Sequence, residues 1–437
     1  MSDTLFPMPP QEPELQKQER TGAPRVMRPE RRQMEMRPTD LESLLPEEHK
    51  ARVVWSWVMH LDLSRFYAQI RSAEGAPGCP AADPAVLLAL WLYATLEGVG
   101  SAREIDRLTK EHDAYRWIRG GVQLDYHTLS DFRVQHERAL DELLTESVAM
   151  MTCKGVADLQ YVAQDGMKVR AHAGASSFRR TPRLREYRKQ AKAQIAALRK
   201  ELEDDHGASS RRQKAARERA AREREEKVER ALREMERVKE EEKRDEESRQ
   251  QARVSTTDAQ ARVMRMAGGE FRPAYNAQIA SDVKSGMVVG VGVTSSGGDM
   301  GQLPPMLDQI ERRHGRRPRK VLVDGGYAAR GAIEDAASRG CSVYAPPMSR
   351  GGDPYAPQPR DGPGVRAWRR RMKSAAARAI YKLRAATSEW VNARMRNRGL
   401  RQVLVRGLAK VRCVLLLHAL AHNLERSARL APAMLRS

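Results

Sequence analysis

Three acidic residues stand where they could bind divalent metal ions. Asp165 and Asp324 each close a short apolar run and are each followed by glycine. Strands that end in the same way can bring both carboxylates to one edge of a sheet. Glu389 is the only acidic residue in the basic segment 366–412. Two Asp and one Glu, as hard oxygen ligands, would suit two magnesium ions that activate water for an in-line displacement at phosphorus.

Each of these residues also has a purely structural interpretation. An isolated Asp-Gly pair is more often a turn than a metal site. Glu389 could instead form ion pairs with its arginine neighbours. The occurrence of Asp165 and Asp324 at the ends of two apolar strands favours the metal-ligand interpretation.

The composition points to a polyanionic partner. The chain has 437 residues, with 78 Lys and Arg against 57 Asp and Glu, a net charge of +21 and a pI near 10.1. Nucleic acid fits best, because neutralised phosphates release counterions. Four dispersed cysteines without a CxxC pair argue against a zinc module or a disulfide framework. Without an apolar run of about 18 residues, we expect no membrane span and a cytoplasmic protein, nucleoid-associated when bound to DNA.

The first part of the chain divides into an arm and a helical domain. Residues 1–43 are polar and rich in Pro and Arg, which predicts a flexible basic arm. Residues 44–157 carry compact helical signals, such as Asp83 and Pro84 at the start of an apolar helix. Short helices with tight turns are typical of a DNA-binding helix-turn-helix bundle. A helical domain without DNA contact has equal weight.

Residues 182–253 predict a helical hairpin inserted into the following domain. The segment is rich in charged residues and Ala, and a turn signal lies at 204–210. Its sparse apolar residues recur at spacings of three and four, which predicts an antiparallel coiled coil. A solvated charged helix or a partly disordered insertion is the alternative. The seam residues are Ile195, Leu198, Leu202, Val228, Ala231, Met235 and Val238.

The remaining segments, 158–181 and 254–437, predict one α/β domain. The order is a strand with Asp165, two further strands, a helix, a strand with Asp324, a helix, a strand and then long helices. This is the order of an RNase H-like catalytic core interrupted by one large insertion.

The motifs, taken together, carry a family resemblance. They comprise 126–133 (YHTLSDFR) in the helical domain, Asp165-Gly166, 275–278 (YNAQ), 323–327 (VDGGY), 368–372 (WRRRM) and 421–424 (AHNL). The chain resembles the DDE transposases of bacterial insertion sequences, most closely the IS1182 family, within the wider IS4/IS5-like group that shares a Tyr-Arg-Glu-Lys signature. The resemblance covers nearly all of the chain after residue 40.

The resemblance implies a function and a set of site residues. The function is DNA cleavage at the terminal inverted repeats and strand transfer into target DNA by a homodimer, with two Mg²⁺ or Mn²⁺ ions. Asp165, Asp324 and Glu389 would be the catalytic and metal-binding triad. The residues expected to bind DNA phosphates are Tyr381, Arg384, Arg396 and Lys168.

The sequence departs from the family pattern at several positions. Arg396 stands where the family more often has Lys, and Met167 stands where Thr is expected. Asn392-Ala393 replaces an expected Phe-Gly. Two alternatives therefore stay open: a catalytically inactive, transposase-derived DNA-binding protein, and an RNase H-like nuclease that cuts without strand transfer.

Overall fold

The structure is a computed structural model that describes residues 40–72, 80–204, 208–241, 246–348 and 352–435. The predicted arm, 1–43, lies outside the described residues except for its last four positions. Within the described ranges, no helix is long and apolar enough to cross a bilayer.

The chain is helical up to residue 153 where it is described, and helix α3 forms the centre of this part. All residues of α3 except Leu96 are buried, because the helix is apolar on every side. It begins as predicted: the Asp83 carboxylate accepts a hydrogen bond from the backbone N–H of Ala85 at 2.8 Å, and Pro84 is the first helical residue. The helices are α1 Lys50–Met59, α2 Ser64–Tyr67, α3 Pro84–Leu96, α4 Ala102–Glu111, α5 Asp113–Arg119, α6 Tyr126–Gln135 and α7 Glu137–Cys153.

A mixed sheet follows. Its central strand β1 is antiparallel to β5 on one side and parallel to β7 on the other, and β8 extends the parallel part. The far edge of β5 pairs with β4 and β6. The strands are β1 Tyr161–Arg170, β2 Phe178–Arg179, β3 Val254–Ser255, β4 Arg262–Arg265, β5 Phe271–Asp282, β6 Val288–Thr294, β7 Lys320–Leu322 and β8 Ser342–Tyr344.

The insertion is a helical hairpin that leaves the core through a two-stranded neck, since β2 pairs with β3. Helices α8 Thr181–Asp204 and α9 Ala208–Glu241 pack against each other, and α10 Glu246–Gln251 leads back to β3. Leu202 and residues 205–207 lie outside the described side chains or backbone. The coiled-coil geometry stays a prediction. The predicted seam residues that are buried are Ile195, Leu198, Val228, Ala231, Met235 and Val238.

The later helices cover the sheet. Helix α16 packs against β6 on one side and against α3 and α7 on the other, so it joins the N-terminal helices to the sheet. Its side chains Leu416 and Leu420 are fully buried. The helices are α11 Leu303–His314, α12 Arg330–Ser338, α13 Pro363–Lys373, α14 Ala375–Arg384, α15 Trp390–Asn397 and α16 Leu408–Leu430.

Two elements that carry site residues differ in their extent from the simplest expectation. Strand β1 does not end at Asp165 but continues to Arg170, because the ladder to β5 persists from Gly166, opposite Gln278, to Arg170. The helical region over 365–395 is interrupted at Ser374, whose hydroxyl caps α14. A π-helical turn, Ala385–Glu389, then separates α14 from α15.

Candidate active site

Asp165 lies inside β1, and its carboxylate accepts two hydrogen bonds and lies beside one guanidinium. Oδ1 accepts a hydrogen bond from the N–H of Gly166 at 3.0 Å, and Oδ2 accepts one from the Asn392 amide at 3.1 Å. The guanidinium of Arg384 lies 3.6 Å from Oδ1. Burial raises the pKa of Asp165 above its usual value, and the charge of Arg384 opposes that rise.

Arg384 connects Asp165 to Glu389. Its Nη1 is 3.6 Å from Asp165 Oδ1, and its Nη2 is 3.7 Å from Glu389 Oε1. The Arg384 side chain is 14% exposed and that of Glu389 is 64% exposed, so the arginine points inward and the glutamate toward solvent. The π-helical turn that ends at Glu389 widens the helix between these two residues.

Asp324 lies just beyond the end of β7. Its carboxylate caps a short 3₁₀ turn by accepting a hydrogen bond from the Gly326 N–H at 3.1 Å. The residue is exposed, and its charge contributes to the raised pKa of Asp165. The parallel pairing of β1 with β7 brings the two aspartates to the same region of the sheet.

Asp299 is a fourth carboxylate that the sequence analysis did not identify. It accepts hydrogen bonds at 2.8 Å from the side-chain amides of both Asn276 and Gln278, and its charge also raises the pKa of Asp165. A methyl group on Gly166 would meet Asp299 Oδ1 at only 2.3 Å, so the carboxylate lies directly over this glycine. The sequence signal that could have identified Asp299 is its place as an acidic residue in the glycine-rich loop between β6 and α11.

The alternation of side chains between the two faces of β5 explains the 275–278 motif. Asn276 and Gln278 point to one side of β5, toward Asp299. Gln278 also accepts hydrogen bonds from Tyr327 at 2.6 Å and from Gln164 at 3.0 Å. Neighbouring residues of a strand face opposite sides, so Tyr275 instead donates to Asp258, at 2.7 Å. The motif thus builds a buried polar support beside Asp165.

Contacts tie three of the four predicted phosphate-binding residues to this region: Tyr381, Arg384 and Lys168. The Tyr381 ring lies 5.7 Å from the Arg384 guanidinium, and burial raises the pKa of Tyr381. Lys168 Nζ is 3.7 Å from Asp299, and burial lowers the pKa of this lysine. Arg396 is exposed, and its side chain makes no hydrogen bond or ion pair with the described residues.

The carboxylates of this site are suitable ligands for a hard divalent cation, but they are not spaced as a formed metal site. Carboxylate oxygens are the ligands that Mg²⁺ prefers, and Asp165 has Asp299 and Asp324 close enough to raise its pKa. Within the described ranges, however, no group of three His, Cys, Asp or Glu side chains is close enough to hold an ion. The Arg384 guanidinium occupies the space between Asp165 and Glu389 and supplies the positive charge there.

Comparison with protein families places this site in a known context. Residues 248–424 match the model of a transposase DDE domain, and residues 39–135 match the model of a second transposase domain. The first match includes Asp324 and Glu389 but begins after Asp165. Comparisons with curated proteins and with solved structures gave no match.

The mixed α/β fold and the two matched domains define the class of protein, a transposase of the DDE type. The pairing of these two domains is the signature of one group within that class. The chain belongs to the IS1182 family of insertion-sequence transposases, and its general function is DNA transposition.

Proposed function

We propose that the chain cleaves DNA at the terminal inverted repeats of an insertion sequence and joins the freed ends to target DNA. The observation that carries this proposal is the convergence of Asp165 and Glu389 on one guanidinium, that of Arg384. The ion pair between the exposed Glu389 and Arg384 contributes little to folding stability. Its position beside Asp165 therefore favours a role in binding a ligand.

The proposal includes a domain organisation. Residues 158–181 and 254–437 form an RNase H-like core, residues 182–253 an inserted coiled coil, and residues 44–157 a DNA-binding domain. The support is the strand order, in which β5 is antiparallel to β1 while β7 and β8 continue from β1 in parallel.

Asp165, Asp324 and Glu389 would hold two Mg²⁺ or Mn²⁺ ions. Ions bound there would lower the pKa of an attacking water and stabilise the charge on the leaving oxygen. We assign Asp299 to the polar support of Asp165 instead, where its Oδ1 accepts hydrogen bonds from Asn276 and Gln278.

The chain's own cations and amides position the reacting groups. The planar guanidinium of Arg384 can hold two non-bridging phosphate oxygens at once. Asn392 orients the Asp165 carboxylate by its hydrogen bond to Oδ2. Tyr381, beside Arg384, can donate to the DNA backbone, and Lys168 supplies positive charge on the Asp299 side.

Two displacements at phosphorus complete the reaction. A water oxygen forms a bond to the phosphorus at the element end, and the bond from that phosphorus to the 3′ oxygen breaks. The resulting 3′-hydroxyl then attacks a phosphodiester of target DNA, which releases a new 3′-hydroxyl. Two element ends must be processed together, so we propose that a homodimer acts on them, in the nucleoid.

A second candidate is an inactive, transposase-derived DNA-binding protein. The observation that favours it is the occupation of both Asp165 oxygens, by Asn392 on one side and by Gly166 and Arg384 on the other.

Cleavage and strand transfer on DNA that carries the inverted repeats of its own locus test both candidates. Wild type is compared with Asp165→Asn and Glu389→Gln in Mg²⁺ and in Mn²⁺. Asp113→Asn, a surface carboxylate on α5 paired with Arg116, is the matched control.

The proposal expects wild type and the control to cut and join, while the two site variants bind DNA and do neither. Binding of the ends by wild type without cleavage in either metal would establish the inactive protein instead. Cleavage without joining would establish the nuclease.

A further inference from the structure

A basic cleft lies away from the proposed catalytic site, between the inserted hairpin and the core. Its volume is about 700 Å³. One wall is α9, and the other is the loop that follows β3 together with the start of α16. Six cationic side chains line it: Lys227, Arg230, Arg233, Arg237, Arg406 and Lys410.

The two acidic residues of the cleft offset only part of the charge of its six cations. Glu234 is 8% exposed and forms an ion pair with Arg262, which lies in β4. Asp258 is 3% exposed, and its Oδ1 accepts hydrogen bonds from Tyr275 and from the N–H of Gly407. Both carboxylates therefore belong to the buried support of the cleft, and its solvent-facing side is cationic.

The pairing of the cations themselves is sparse. Among the described residues, Lys227 and Arg230 have only wide contacts within α9, at 3.7 Å to Glu223 and 3.9 Å to Glu226. Arg237 lies 3.7 Å from Glu234. Arg233 and Lys410 are exposed and form no ion pair or hydrogen bond through their side chains with the residues that the structure describes. Such unpaired cations facing each other repel, and a polyanion between them would remove that cost.

The cleft is also connected to the strand that carries Asp165. Strand β1 ends at Arg170, and two residues later the His172 carbonyl accepts a hydrogen bond from Arg406 at 3.2 Å. The path from Asp165 to His172 is on the order of 20 Å for extended chain. At about 3.4 Å per base pair this corresponds to roughly six base pairs of duplex.

We propose that this cleft binds the sugar-phosphate backbone of duplex DNA on the flank of the cleavage position, so that the inserted hairpin clamps the substrate. The proposal rests on the proposed function, because it takes DNA as the substrate. The class of ligand follows from the cleft's chemistry: separated cations on two walls match the regular spacing of phosphates, without groups arranged to read bases.

The test compares two double variants of the full chain. Arg233→Gln with Lys410→Gln removes the unpaired cations of the cleft. Arg217→Gln with Arg219→Gln removes the same charge from exposed positions of α9, more than about 20 Å along the helix from Arg233. Binding to a duplex of about 40 base pairs is measured by fluorescence anisotropy between about 50 and 200 mM salt, and thermal unfolding checks the fold of both variants.

We expect the cleft variant to bind with a salt slope that is smaller by about 1.8, since each B-DNA phosphate contact contributes about 0.9. The ratio of the DNA affinity of wild type to that of this variant should then fall about twelvefold when the salt is raised from about 50 to about 200 mM. The control keeps the wild-type slope.

Equal slopes for wild type and the cleft variant would overturn the inference, as would an equal loss in the control, because only total charge would then matter. Preferential cleft-dependent binding of duplex RNA would overturn the assignment to DNA. Failure of the proposed function is separate: wild type would then show the cleft-dependent slope on DNA but would never cut.

Discussion

Replacement of Gly166 by alanine tests the packing beside Asp165. Gly166 lies in β1 opposite Gln278. A Cβ at this position would lie 2.3 Å from Asp299 Oδ1, 2.8 Å from the Gln278 amide nitrogen and 3.0 Å from the Asn276 carbonyl oxygen. Ordinary contact begins at 3.4 Å, so the Asp299 carboxylate must retreat by roughly 1 Å.

That retreat has a calculable cost. Overpacking of a well-packed site costs about 1–3 kcal/mol. The displaced carboxylate also loses hydrogen bonds from Asn276 and Gln278, and a bond to a charged group contributes about 1.5–3 kcal/mol. Because Asp299 is 27% exposed, water replaces part of this loss. We expect Gly166→Ala to lower the free energy of unfolding by about 2–4 kcal/mol.

Urea unfolding followed by circular dichroism measures this cost. Gly331→Ala is the matched control: it lies in α12, and its added Cβ would have no neighbour within 4 Å. The control should gain about 0.4–1 kcal/mol, because alanine at a position without strain reduces the conformational entropy of the unfolded chain.

A double variant identifies the cause of the cost. In an Asp299→Ala background, Gly166→Ala should cost less than about 1 kcal/mol, since the main obstacle has been removed. The reasoning is refuted if Gly166→Ala unfolds at the wild-type urea concentration, or if its cost is the same with and without the Asp299 side chain.

Three further predictions concern other buried groups and the metal. Asn423 accepts from Val288 N–H at 2.8 Å and donates to Val288 C=O at 2.9 Å, so Asn423→Ala should lower the urea midpoint by an amount equivalent to about 2–4 kcal/mol. Burial lowers the pKa of His422 to about 3; the unfolded chain binds a proton below about pH 6.5 and the native state does not. As the pH falls between those pKa values, His422 should therefore cost the native state about 1.4 kcal/mol per pH unit, and His422→Gln should reduce the pH slope of stability by that amount in urea titrations at graded pH. Millimolar Mg²⁺ should raise the melting temperature of wild type and have no such effect on Asp324→Asn, as measured by differential scanning fluorimetry; an equal rise in both would exclude Asp324 as a ligand.

Local sequence signals account for many of the elements. Asp83-Pro84 starts α3, and Ser101 caps α4, because capping depends on a few neighbouring residues. The apolar runs before Asp165 and Asp324 form strands for a similar reason, and the sparse apolar positions of 182–253 whose side chains are described are buried. The motifs along the chain were sufficient to predict the family.

Other features depend on contacts between distant segments. The end of β1 is one of them: the ladder to β5 continues past Asp165, and no local pattern specifies how long a partner strand is. The π-helical turn before Glu389 is another, since the sequence there has ordinary helical character.

The sequence by itself determined the kind of protein and predicted the residue types of its site, since both are carried by short motifs and their order. Only the tertiary structure decided the neighbours of those residues: Arg384 between Asp165 and Glu389, Asn392 on Asp165, and Asp299 over Gly166. The physical reason is that strand register and helix packing bring Arg384, Asn392 and Asp299 to a strand more than a hundred positions earlier in the chain, while the π-helical turn sets the distance from Arg384 to Glu389.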